Sequence, residues 1–156
     1  MSRLQDMPVR DAVVNKDGSI AEPWRLYLRQ QSSEVASAPT RQGQTALTAQ
    51  AASLSATAVP VTVTDGLWRL SFYARLTQAA TTSSSLIVTL KWTDGGVLCG
   101  LSGAAITGNT TDSVQSGTAL VRADGNTSLL YQTTYASVGA TPMQYQLDVV
   151  AERVQA

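Results

Sequence analysis

Histidine is absent from this chain of 156 residues, and cysteine and phenylalanine each occur once. Without an imidazole, no Ser/His/Asp or Cys/His nucleophile system can be assembled, the commonest zinc ligand is missing, and so is the usual acid/base group near neutral pH. The single thiol, Cys99, lies in an apolar strand-like run and reads as a buried, inert side chain. Charge is scarce as well, at 14% of residues against about 25% in an ordinary soluble domain. The net charge of +0 and the pI near 6.1 leave no basic field for a polyanion, so nucleic acid is disfavoured as a partner. No run approaches the roughly 18 apolar residues that cross a bilayer, and the N-terminus lacks the apolar core of a secretory signal. The expectation is a chain made soluble in a cytoplasm, without membrane insertion.

The charge that is present is unevenly placed. Residues 1–35 hold ten charged side chains, five basic and five acidic, against twelve in the remaining 121. Of the six acids beyond residue 45, Asp65, Asp94 and Asp124 each precede glycine, where Asp supports a tight turn by bonding its own backbone. Turn chemistry therefore accounts for them without a catalytic carboxylate pair. Metal-ligand spacing and a phosphate-cradling glycine loop are likewise missing from the sequence, so no catalytic residue, cofactor or metal is expected. The Asn-x-Ser/Thr triplets at Asn109 and Asn126 read as chance in a chain this rich in Thr and Ser.

Along the chain, residues 1–18 read as an extended segment ending in a turn at Lys16-Asp17-Gly18. Ser19-Ile20-Ala21-Glu22 fits a capping box, and Pro23 suits a first helical turn. The spacing predicts a helix over 20–34 with Trp24, Tyr27 and Leu28 on one face. A helix this short is marginal alone and needs something to pack against. Residues 36–44 read as a linker and 45–156 as a β module. Strict alternation over 67–77 puts Trp68, Leu70, Phe72, Ala74 and Leu76 on one face; Leu86, Val88, Leu90 and Trp92 follow in a second strand. With the run 97–101 these segments are expected to form the middle of the core. Residues 103–113 read as a flexible connection, and strands recur over 114–123, 127–137 and 142–154, where Met143, Tyr145, Leu147, Val149 and Ala151 face one way. About eight strands separated by Gly and Asp turns fit a mainly β fold: an antiparallel sandwich of jelly-roll type, preceded by the short helix and arm.

Outward positions of these strands hold Thr, Ser, Gln, Ala and Tyr in place of ions. Such side chains cost less to desolvate than charges, so the module is expected to associate with copies of itself, a homotrimer first. Tyr73, Tyr131, Tyr135 and Tyr145 are the candidates for an oligomer interface or groove, because Tyr joins a large contact area to a polar tip.

Residues 66–76 (GLWRLSFYARL), 83–96 (SSSLIVTLKWTDGG), 131–135 (YQTTY) and 143–147 (MQYQL) together resemble small β proteins encoded among the structural genes of tailed bacteriophages. Asp17-Gly18-Ser19 with Pro23-Trp24 and Tyr27-Leu28 is similar to the attachment segments of phage fibre, collar and decoration proteins. More distantly, the Gly-Leu-aromatic strand and the late aromatic strand resemble trimeric jelly rolls of the tumour-necrosis-factor and C1q type. The resemblance implies a multimeric, non-enzymatic virion component, assembled in the bacterial cytoplasm. Its arm would dock on a capsid, neck or tail protein through Val9, Val13, Trp24, Arg25, Tyr27 and Leu28. Two alternatives stand beside it: a carbohydrate-binding module that meets a host-surface glycan through loops 79–85 and 103–113, and a cement protein locking capsid subunits.

Overall fold

The structure is a computed structural model that describes residues 12–34 and 39–155. The chain divides into two compact units, Met1–Ala38 and Pro39–Ala156.

The described part of the first unit is a hairpin that feeds a helix. Val14 and Ile20 form an antiparallel bridge, and the loop between them closes through Asn15 N–H to Ser19 C=O (2.8 Å) and Gly18 N–H to Asn15 C=O (3.0 Å). Gly18 takes φ 85°, a conformation that costs an L side chain energy and glycine none. Helix α1 (Glu22–Glu34) starts later than the capping box requires. Ser19 donates its hydroxyl and its amide to Asp17 Oδ1 within the hairpin. The local turn captures the serine that would have capped the helix, and the Ala21 carbonyl accepts the first helical bond, from Arg25.

The second unit contains eight strands: β1 (Thr40–Gln50), β2 (Leu54–Ala58), β3 (Gly66–Gln78), β4 (Ser83–Asp94), β5 (Val97–Ser102), β6 (Val114–Ala123), β7 (Leu129–Val138) and β8 (Gln144–Gln155). They form two four-stranded antiparallel sheets, in the orders β1-β8-β3-β6 and β2-β7-β4-β5. The pairing is nested: β1 with β8, β2 with β7, β3 with β6 and β4 with β5, as if one long hairpin folded at Asp94-Gly95-Gly96 had been wrapped around a core. That is the jelly-roll arrangement.

Alternation decides which face each strand buries. Trp68, Leu70, Phe72, Ala74 and Leu76 of β3, Leu86, Val88 and Leu90 of β4, and Tyr145, Leu147, Val149 and Ala151 of β8 are all buried. Removing each large side chain from water contributes about 1.5–3 kcal/mol, and slipping either β3 or β8 by one residue would expose its whole set. Trp68 keeps its indole N–H satisfied on the Thr64 carbonyl at 2.9 Å.

Three expectations are corrected. Residues 40–44, expected within a linker, already belong to β1, where Thr40, Arg41, Gly43 and Gln44 pair with β8. Their polar pattern hides a strand because the inward position is a glycine set against Val59, Pro60 and Val61. The 97–101 run lies at a sheet edge, not mid-core, with Val97 and Leu98 exposed and Cys99 only half-buried. A continuous apolar run looks the same whether both its faces are buried or neither is. Residues 103–113 are tethered: Ile106 is buried and exchanges two backbone bonds with Leu86.

Candidate assembly surfaces

Among residues 12–29 of the first unit, only Ala21 is buried. Val13 (51% exposed), Val14, Ile20, Leu26 and Leu28 (49%) all stand open to solvent. Trp24 and Tyr27 are half-buried and meet edge-on, with ring centroids 6.0 Å apart at 84°. Arg25 forms an ion pair with Glu22 three residues before it. Val9 lies outside the described residues. Sequence reading picked Trp24, Tyr27 and Leu28 from helical spacing and passed over Leu26, Val14 and Ile20. Val14 and Ile20 meet through the hairpin bridge and not through helical spacing, so helical periodicity gave no signal for them. The hairpin itself is tightly held: Asn15 Nδ2 donates to Ser19 Oγ, and the two bonds from Ser19 hold the Asp17 carboxyl below its ordinary range, the side-chain bond first.

The four tyrosines separate cleanly. Tyr131 and Tyr145 are buried in the sandwich (4% and 0% exposed), so neither is available to an interface. Their inward register on β7 and β8 decides it. Tyr135 is half-buried, packs at a tilt on Tyr145 with centroids 6.2 Å apart, and donates its hydroxyl to the Met143 carbonyl. Tyr73 remains an outward side chain, 43% exposed on the outer face of β3.

Tyr145 is the centre of a polar chain that crosses the core. The Leu54 amide donates to Thr133 Oγ1, which lies 2.8 Å from the Tyr145 hydroxyl, and that hydroxyl donates to the Ala52 carbonyl at 2.9 Å. Thr133 therefore donates to the tyrosine, and one buried chain ties β7, β8 and the β1–β2 connection. Burial pushes the Tyr145 phenol above its ordinary 10.0, against the lowering effect of the Thr133 bond.

The two sheets differ in charge. The strands β1, β8, β3 and β6 hold Arg41, Asp148, Glu152, Arg153, Arg69, Arg75 and Arg122, whereas β2, β7, β4 and β5 hold only Lys91 and Asp94. On the ionic sheet, Glu152 stands between Arg41 and Arg69 in register and receives Arg69 at 2.6 Å. On the other sheet, outward positions are Ser85, Ile87, Thr89, Gln132, Thr134 and their like, flanking Lys91. An exterior with so few ions costs little to dehydrate.

At one end of the sandwich the three Asp-Gly turns approach one another. Asp65, Asp94, Gly95, Arg122, Ala123 and Asp124 line an open cleft of about 300 Å³. Asp124 Oδ1 accepts from Asn126 N–H and Thr127 Oγ1, as turn chemistry requires. Among the described residues, no three His, Cys, Asp or Glu side chains are placed to share a metal ion, and no helix is long and apolar enough to cross a membrane. The loops considered for sugar contact are clamped to each other by Asn109, whose amide bonds both backbone groups of Ala80.

No protein-family model matches the chain, and no curated protein matches it in sequence.

Proposed function

We propose that this protein is a non-enzymatic structural component of a tailed-bacteriophage virion. Its N-terminal unit docks on another virion protein of the capsid, neck or tail, and its jelly roll projects as a self-associating knob, three copies to a head. The observation that carries the docking role is an exposed apolar surface: Val13, Val14, Ile20, Leu26 and Leu28 are about half exposed, and among residues 12–29 the one buried side chain is an alanine. A hairpin and a three-turn helix of that kind gain their stability from what they pack against. The ion-poor sheet supports self-association, and the sequence resemblance to phage structural proteins supports the virion setting.

The test is incorporation into virions of the full chain against a variant carrying Leu26→Asp and Leu28→Asp. Particles should lack the variant while its circular dichroism keeps the β signature of the native chain. Retention of the variant at native copy number would overturn the docking role. Counting copies per particle separates a fibre or collar from a capsid cement.

A further inference from the structure

Of the four sandwich tyrosines, Tyr73 alone is exposed, and it stands in the middle of β3 on the outer face of the ionic sheet. Asp148 of β8 is its partner in register on one side and Ser116 of β6 on the other. Directly opposite residues of this kind have Cβ atoms about 4.5–5.5 Å apart, and their side chains rise together from the sheet. Two positions along β3 lies Arg75, whose register partner on β8 is Gln146. The guanidinium and the amide oxygen of that pair meet only at 3.5 Å, the outer limit of a hydrogen bond. Ring, carboxylate, guanidinium and amide therefore share one patch of one sheet.

Asp148 is the member of this patch that its own fold leaves unsatisfied. It is half-buried, and among the described residues it has neither a hydrogen-bond nor an ion-pair partner. Glu152, further along the same strand, receives Arg69, so a carboxylate on this face can be paired when the register allows it. Arg75 stands diagonally across the ladder from Asp148, yet the two form no ion pair. A half-buried carboxylate has given up part of its hydration, and without an incoming bond that loss is uncompensated. A ligand that donates to Asp148 would offset it.

We propose that this patch binds a neutral saccharide, with a sugar ring stacked on Tyr73 and its hydroxyls held by Asp148, Arg75 and Gln146. The side-chain chemistry selects that occupant. A carboxylate only accepts, a guanidinium only donates and an amide does both, so together they match a rim of hydroxyls, each of which is donor and acceptor at once. Charge narrows the choice further: Arg75 opposes a cation beside Asp148, Asp148 opposes an anion beside Arg75, and the neighbouring Glu152 and Arg69 already neutralise each other. An uncharged ligand meets no such opposition. Tyrosine supplies the apolar surface that the C–H face of a sugar ring requires, and a ring about as wide as the ~4.8 Å strand spacing reaches Tyr73 and Asp148 together. Sugar contact is thereby assigned to a sheet face and not to the loops 79–85 and 103–113. It lies on the sheet opposite the ion-poor one, goes beyond the structural role proposed above and does not depend on it.

The experiment is an array of neutral and acidic oligosaccharides probed with the full chain and with Y73A, Y73F, D148N and K91A, with sedimentation velocity run alongside. Tyr73, Asp148 and Lys91 all face outward, so the fold, read by circular dichroism, should not change. The native chain should bind at least one neutral oligosaccharide. Y73A should lose that signal and Y73F, which keeps the ring, should retain it. D148N should weaken binding by about tenfold through loss of the charge-assisted bonds, and K91A, on the other sheet, should bind like the native chain. A native chain that binds no neutral oligosaccharide overturns the proposal, as does binding confined to acidic sugars. Binding that survives Y73A places the sugar elsewhere and overturns this site, and a D148N variant that binds like the native chain overturns the role of the carboxylate. Should Y73A alter sedimentation and leave sugar binding untouched, the face belongs to a second copy and the proposal fails. Virion docking is read separately by the Leu26 and Leu28 variant, so failure of one reading is distinguishable from failure of the other.

Discussion

The side-chain amide of Asn109 makes two hydrogen bonds to one residue, accepting from the Ala80 amide at 2.8 Å and donating to the Ala80 carbonyl at 3.0 Å. It mimics a strand neighbour for Ala80, in the connection between β3 and β4, and it does so from a left-handed backbone, φ 51°, which asparagine tolerates better than most residues. The β3–β4 and β5–β6 connections are thereby locked together. Asn109→Ala removes both bonds and should lower stability by about 1–3 kcal/mol in urea titration. Asn109→Asp should cost a similar amount, since it keeps the acceptor but sets a carboxylate against the Ala80 carbonyl.

Phe72 and Gly117 are direct partners across the β3–β6 ladder, and the ring occupies the space of the missing side chain. A Cβ on Gly117 would lie 2.5 Å from Phe72 Cε1, and the ring is buried among core side chains that limit its retreat. Gly117→Val should therefore destabilise by about 1–3 kcal/mol through overpacking. Adding Phe72→Leu should return part of that loss, a non-additivity that a double-mutant cycle reads directly.

Tyr145→Phe leaves the Ala52 carbonyl and the Thr133 hydroxyl without their buried partner, so about 1–3 kcal/mol of stability should disappear. The same hydroxyl gives an alkaline limit. Its folded pKa is raised above the unfolded value of 10.0, so the contribution of the neutral phenol is complete below pH 10.0 and fades as pH rises through the folded value. Thermal melts above pH 10 should fall more steeply for the native chain than for Tyr145→Phe.

Asp17 gives the opposite sign. Its carboxyl is held below the ordinary 3.8 by the bonds from Ser19, so the turn keeps these contacts above that value and loses them as pH falls through the folded pKa. Carbon-detected NMR titration should place the Asp17 midpoint under 3.8, and Ser19→Ala should move it upward. A midpoint unmoved by Ser19→Ala would break the link between the two residues.

What the sequence determined by itself was the period. Alternation in 67–77, 86–92 and 143–151 is a local property, enforced by the pleat of each strand, and it specified the strands, their inner faces and a two-sheet β class before any partner was known. Turn residues did the same for the hairpin ends, because Asp-Gly conformations are decided within a few residues. Nothing local states which strand is outermost. The run 97–101 is apolar like a core strand, yet the wrapped order β2-β7-β4-β5 leaves it at the edge. Alternation already set Tyr145 on the apolar face of 143–151 and Tyr73 on the face opposite Trp68 and Phe72, whereas the polar run Tyr131-Gln132-Thr133-Thr134-Tyr135 left the inward face of Tyr131 to be chosen by the sheets. The tertiary structure alone decided these points, because burial belongs to the neighbours a residue acquires. Those neighbours come from pairings such as β1 with β8, about a hundred residues apart in the chain.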